Sequence, residues 1–553
     1  MNRHRLKLFL CTLAAFAAGL LLRLYFVALL SRVAGDSLLY GDIAKTWLQH
    51  GVYGFTESGR FGGIVFRPTL IRLPGYPLFL AACFRLFGIE HYHAVLYVQI
   101  AADLVTCGLV SALAARLFGR SARLPALWIA ALCPFTANYV ALPLTETLVL
   151  TTIALALYAF VRWQDAGLGF NRWLWIAAAA MAYSILLRPD QVLLSAAILP
   201  AMLWASLATP ARLSRKASRT VSALRIRPIL PVFVAALCVI LPLIPWTLRN
   251  QRTFHVFQPL APYYANDPGD PAPLGFNRWY RTWGVEFITT ETVYWRYDGD
   301  RIDLSDLPAR AFDAGSPEAT ANLRRRTADL LDDYNRNPVL TPAIDARFAS
   351  LARERIDRHP ILCHIGLPAA RLADMLLRPR TDMMPFNEPW WHWRDHPQQS
   401  VFALAYAALN LACFALAFAS LARWCRRAWL APNVLGLLFR SFRSSFYSED
   451  YSSFRSYCLP FRRFFCLSFR SLFCLSFRSE AKESAFSRTT TDHSITENAL
   501  IFATLAYVLL RSALLLTIDN SEPRYTLEFF PILLIWIAAL FPPPSPTPSP
   551  PAA

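Results

Sequence analysis

Long apolar runs alternate with polar segments along this chain, and a membrane span needs about 20 apolar residues. On that measure the spans are predicted at 8–30, 94–115, 124–142, 144–161, 173–187, 191–208, 229–248, 401–422, 500–517 and 525–541. The pattern therefore predicts an all-α polytopic membrane protein with about ten transmembrane helices. The first run follows MNRHRLK without a small-residue cleavage site, so it is read as an uncleaved span.

Basic loops orient these spans, because lysine and arginine stay on the cytoplasmic side. Arg3, Arg5 and Lys7 keep the N-terminus inside. Alternation then puts 209–228 inside, where Arg212, Arg215, Lys216, Arg219, Arg225 and Arg227 occur without an acid. The inside loop beginning Arg423, Arg426, Arg427 agrees. The division that follows is an N-terminal bundle 1–248 with a first outer loop 31–93, an extracytoplasmic domain 249–400, a transmembrane helix and its cytoplasmic end 401–430, and a C-terminal pair 499–541. In the outer domain, RHPILCHIGLPAARLADMLLRPR spaces apolar residues on one helical face with arginines opposite, the pattern of an interfacial helix. The tryptophans around Trp391 suit an aromatic belt before re-entry.

Two stretches differ. Residues 431–498 form a low-complexity cytoplasmic insertion, in which Cys458, Cys466 and Cys474 open eight-residue units within 437–485. A strand-like segment and a metal site are alternatives, but the repeated spelling favours a translated repeat. The tail 542–553, PPPSPTPSPPAA, is predicted to be disordered.

Composition supports the membrane class. Only 17% of residues are charged, against about 25% in soluble proteins. The net charge of +18 sits in loops, where it serves topology and contacts to membrane lipids. The aromatic–basic motifs of RNA readers are absent, so no nucleic-acid partner is expected. The eleven cysteines make no CxxC pair and no regular framework, so no zinc or disulfide scaffold is implied.

Polar residues at the outer ends of the spans converge on one face: Asp36, Asp42, Arg72, Glu146, Arg188, Asp190, Arg249 and Arg524. A carboxylate there can serve as general base, and Asp36, Asp42 and Glu146 are the catalytic candidates. Arginines clamp phosphate, and Arg72, Arg188, Arg249 and Arg524 are the candidates for a donor phosphate. The ordinary alternatives are solvated interface acids and snorkelling arginines. As an exposed carboxylate, Asp36 would titrate near 4. Arg23, inside the first span, either snorkels outward or pairs with an acid of the same site.

DSLLYGDIAKTWLQHGVYGF followed by RLPGYPLFLAACFRLFG resembles the first outer loop of C-type membrane glycosyltransferases. These form the dolichyl-phosphate-mannose-protein mannosyltransferase family, which includes bacterial relatives of protein O-mannosyltransferases and of lipid A aminoarabinose transferase. LPLTETL, LLRPD, PWTLRNQRTF and SEPRYTLEFFPILLIWIA follow in the family's order. The resemblance implies a helical bundle, juxtamembrane helices in the first outer loop and a mixed, mainly helical outer domain. It implies a polyprenyl-phosphate-linked sugar donor, inversion at the anomeric carbon, Asp36 as base and Arg72 on the donor phosphate. The family often has a second acid directly after the first. Ser37 stands there in this chain, and Asp42 is the nearest substitute. A divalent metal helps some members, while no ligand cluster here demands one.

The leading expectation is a multi-pass glycosyltransferase of the plasma (inner) membrane with its active site on the extracytoplasmic face. The acceptor is a glycolipid, a polysaccharide or a protein. The alternative is a transporter or flippase for a lipid-linked glycan. Matching inverted halves and midplane charges would favour it, and neither is evident.

Overall fold

The computed structural model describes residues 3–58, 63–208, 229–386, 390–391, 393–430 and 490–541. The basic loop 209–228, the repeat 437–485 and the tail 542–553 lie outside the described residues.

In chain order the helices are α1 Arg3–Leu30, α2 Asp36–His50, α3 Gly75–Phe87, α4 Tyr92–Phe118, α5 Arg123–Ala131, α6 Pro134–Ala137, α7 Glu146–Asp165, α8 Arg172–Leu187, α9 Val192–Ala208, α10 Leu230–Ile240 and α11 Leu243–Phe254. The outer domain adds α12 Leu274–Arg281, α13 Pro317–Arg336, α14 Pro342–Arg358 and α15 Leu367–Leu377. The chain then returns through α16 Pro397–Leu430, α17 Thr490–Leu515 and α18 Phe530–Ala538.

Among the described residues seven helices are long and apolar enough to cross a membrane, and nine if each of two bent pairs counts as one. The ten apolar runs therefore do not all form full helices. Run 124–142 breaks by 48° between Ala131 and Pro134. Proline has no N–H to continue the ladder, and it holds the preceding Cys133 extended. Run 173–187 forms a helix of 16 residues, only about 24 Å long. Run 525–541 starts as the 3-10 helix Pro523–Phe529 before α18.

α7 is the central helix. It packs on α4 and α8, and 78% of its most apolar window is inside the protein. The corresponding share is 22% for α16. Peripheral apolar side chains such as Leu21, Phe233 and Phe418 are exposed, as expected of a lipid-facing surface.

Arg23 does not snorkel. It is fully buried, and its guanidinium pairs with Asp103 of α4 at 2.5 Å. It also donates to the carbonyls of Gly19 at 2.8 Å and Ala131 at 2.6 Å. The acid it meets lies within the bundle, so the pair fastens α1 to α4 and α5.

The first outer loop carries α2 and α3, joined by an antiparallel hairpin of β1 Gly54–Ser58 and β2 Ile64–Pro68, with Phe55 opposite Arg67. This hairpin is not among the elements that the pattern predicts, since two strands of five residues give little alternation. Gly51 ends α2 in the left-handed region at φ 71°, where a side chain would be strained. Gly75 opens α3 against the end of α8, and a Cβ there would sit 2.5 Å from the Leu186 carbonyl. That close approach brings the residues before α3 onto the outer end of α8.

The outer domain is helical, without strands among its described residues. Its core is aromatic: Phe276 stacks on Tyr297 at 3.7 Å, with Trp279, Trp283, Tyr334 and Phe348 around them. Ser316 and Thr341 cap α13 and α14 by accepting from Ala319 and Ile344 N–H, and proline follows each cap. Ahead of α15, Ile361 and Ile365 are exposed, while Arg371 is buried and donates to the Arg281 and Gly284 carbonyls.

Removing one member of a buried ion pair strands the other, at about 3 kcal/mol or more. Asp103→Ala should therefore lower the melting temperature in detergent. Arg23→Met with Asp103→Leu should recover much of the loss, because that variant strands no charge.

Candidate functional site

Asp36 is the first residue of α2, six positions beyond the end of α1. A helix N-terminus favours its negative charge. Arg72 Nη2 donates to Asp36 Oδ1 at 2.8 Å, and Arg524 Nη2 donates to Oδ2 at 2.9 Å. Both carboxylate oxygens are thus held by guanidinium groups from opposite ends of the sequence. The side chain is 23% exposed, so Asp36 is not the free surface carboxylate of the sequence reading. Burial alone would raise its pKa. Arg524 and Arg72 outweigh burial and hold the carboxyl well below the usual aspartate range.

Arg72 lies in the turn before α3. Its carbonyl accepts from the Tyr53 hydroxyl at 2.9 Å, and its guanidinium lies 5.8 Å from the ring of Tyr40. Tyr40 is one turn along α2 from Asp36, so α2 supplies both the acid and an aromatic wall.

Arg524 leads inward from this clamp. It pairs with Glu522, two residues earlier, and its Nε lies 3.9 Å from Glu146. Glu146 opens α7 and is 4% exposed. Arg188 donates to Glu146 at 3.2 Å and to Asp190 at 3.3 Å, and lies 3.5 Å from Glu528. Pro189 holds Arg188 extended at the end of α8. Arg511 of α17, fully buried, closes the chain by pairing with Asp190 and with Glu528 at 3.0 Å. Tyr507 and Gln191 donate to Glu528 at 2.9 and 2.5 Å.

The cluster thus joins Asp36, Glu146, Asp190, Glu522 and Glu528 with Arg72, Arg188, Arg511 and Arg524. It gathers the start of α7, the end of α8, the turn before α9, the start of α2 and the loop before α18.

Two of the sequence candidates stand apart. Asp42, six residues along α2 from Asp36, faces another way and accepts from Thr56 N–H and Oγ1, both at 2.8 Å. It pins α2 to β1. Arg249 donates to the Thr69 and Tyr53 carbonyls, both at 2.7 Å, and lies over Tyr53, Trp246 and Phe254. It fastens α11 to the first outer loop. Arg511, Glu522 and Glu528 are cluster members that sequence reasoning missed. The signal for Arg511 was present, because a charge inside a span points to a functional site. Glu522 and Glu528 lie within the quoted segment SEPRYTLEFF, where nothing in the spacing separates them from loop acids. Among the described residues no group of three or more histidines, cysteines, aspartates or glutamates is arranged to hold a metal ion.

Residues 67–246 match the family model of dolichyl-phosphate-mannose-protein mannosyltransferases. The match spans about a third of the chain, so that stretch is similar to the family. The matched stretch contains Arg72, Glu146, Arg188 and Asp190, while Asp36, Arg511, Glu522, Arg524 and Glu528 lie outside it. Two crystal structures of ArnT from Cupriavidus metallidurans are similar to this chain at 15% identity and a TM-score of 0.34 each. The one bound to undecaprenyl phosphate aligns over 80% of this chain and 75% of its own, and the apo one over 92% and 77%. No curated protein sequence matches the chain.

A carboxylate whose pKa is lower when folded stabilises the protein fully above its unfolded value, here the ordinary 3.8. That contribution is lost as pH falls through the folded value. Thermal unfolding in detergent should therefore show a decline in stability below about pH 4 that is shallower in Asp36→Asn.

Proposed function

We propose that this chain is a membrane glycosyltransferase that moves a sugar from a polyprenyl-phosphate-linked donor, with inversion, to an acceptor hydroxyl on the extracytoplasmic face of the plasma (inner) membrane, with Asp36 as general base. The observation that carries the reading is the Asp36 carboxylate held between Arg72 and Arg524. Two arginines converging on one anion make a ready clamp for a phosphate. Asp36 occupies that clamp when the donor is absent.

On this reading the donor phosphate draws Arg72 and Arg524 away from Asp36. With its counter-charges engaged elsewhere, and a second anion beside it, the carboxylate becomes more basic. The acceptor oxygen then bonds to the anomeric carbon on the face opposite the phosphate. The carbon–oxygen bond to phosphate breaks, and its electron pair stays on the phosphate oxygen. Asp36 takes the acceptor proton. The arginines stabilise the charge that develops on the leaving phosphate. Arg188 and Glu146 hold the inner wall of the clamp, because Glu146 lies between Arg188 and Arg524. The basic bias of the cytoplasmic loops supports the outward orientation. The acceptor is a glycolipid, a polysaccharide or a protein.

Asp36→Asn keeps the size and removes the basicity. Turnover at saturating donor should fall about a hundredfold or more, with expression near normal. Near-normal transfer by a folded Asp36→Asn protein would contradict the assignment.

Arg72→Ala should weaken donor use more than Arg72→Lys, which keeps a charge and loses the two-pronged fork. The check is initial rate across donor concentrations. Unchanged rates in Arg72→Ala would mean that the phosphate is held by other groups.

A further inference from the structure

Arg524 is shared among three anions, two of them close. Its Nη2 faces Asp36 at 2.9 Å, and its Nε faces Glu522, with Glu146 farther off at 3.9 Å. Glu522 differs from Asp36 in its surroundings. Its side chain is 7% exposed, against 23% for Asp36. Among the described residues Arg524 is the cation that pairs with it. Asp36 can face water or an acceptor when Arg524 turns away, whereas Glu522 is left buried without its counter-charge. Burial already pushes the Glu522 carboxyl up, and Arg524 beside it opposes that rise. A phosphate that takes Arg524 must therefore overcome Glu522.

The reaction makes this competition useful. The donor is a phosphodiester with one negative charge. The spent polyprenyl phosphate is a monoester carrying about −1.5 to −2 at neutral pH. The product thus attracts Arg72 and Arg524 more strongly than the donor does. A clamp of arginines alone would bind its own product best.

We propose that Glu522 is a release residue, whose carboxylate competes with phosphate for Arg524 and limits how tightly the spent polyprenyl phosphate is held. Its place two residues before Arg524, at the N-cap of the 3-10 entry to α18, keeps it within reach as the guanidinium turns. Glu522 acts through Arg524 and is a positioning residue. The inference rests on the reading that Arg524 holds the donor phosphate.

The test is binding of a short polyprenyl monophosphate to the full chain in detergent, with the matching alcohol as control. Glu522→Gln should bind the monophosphate about tenfold tighter, a change equal to one lost charge competitor, while binding of the alcohol stays unchanged. In turnover it should lower the donor KM and kcat together, with stronger inhibition by the monophosphate. A merely structural glutamate would give weaker binding or none of these changes. Arg524→Gln is the companion variant and should bind the monophosphate at least tenfold more weakly. If Arg524→Gln weakens binding and Glu522→Gln is unchanged or weaker, the release role falls and the phosphate reading stands. If Arg524→Gln binds as the wild type does, both fall. Should Glu522→Gln fail to fold, Glu522→Asp retracts the carboxylate by one methylene and should tighten binding about threefold, and unchanged binding there overturns the proposal.

Discussion

Charges gathered where spans end cannot be left unpaired, because desolvating an isolated ion costs several kcal/mol even after relaxation. This constraint governs the face of the bundle on which Asp36 lies. Asp36, Glu146, Asp190, Glu522 and Glu528 are each met by at least one of Arg72, Arg188, Arg511 and Arg524. The elements that carry them come from both ends of the chain. Satisfying the charges therefore fixes how the first outer loop, the central helix α7 and the loop before α18 sit together. Arg23 and Asp103 obey the same rule inside the bundle, but without connection to that face.

On the proposed reading, the arrangement lets a carboxylate with a lowered pKa serve as a base. Two guanidinium groups make Asp36 a weak base while the clamp holds nothing else. On that reading an entering phosphate would compete for those groups, and the base would gain strength where and when the donor is in place. Ionic pairing that stabilises the empty site becomes a device for timing on this account. The hydrogen bonds of Arg249 and Asp42 are of another kind. They end on backbone and on Thr56, and they hold the first outer loop in shape.

The membrane class and the face on which Asp36, Arg72, Glu146, Arg188 and Arg524 meet were legible in the sequence, because apolar runs and flanking charge report directly on the bilayer, whereas the helices of the first outer loop were implied by the family resemblance. Span integrity was less so. Pro134 breaks one run and Pro523 starts another in a 3-10 turn, although the hydropathy of both is that of a span. Partner identity was not legible at all. Arg511 and Glu528 are 17 residues apart in sequence and face each other only because α17 and the entry to α18 fold back together. Asp42 and Asp36 look equivalent in sequence, yet six residues along a helix turn them to different faces.

The central claim is that the donor phosphate replaces Asp36 in the grip of Arg72 and Arg524. A structure of the full chain with a bound polyprenyl phosphate tests it most directly. The account predicts phosphate oxygens within hydrogen-bond distance of both guanidinium groups, and an Asp36 carboxylate released from at least one of them. A phosphate bound elsewhere, with both Asp36 ion pairs intact, would contradict it.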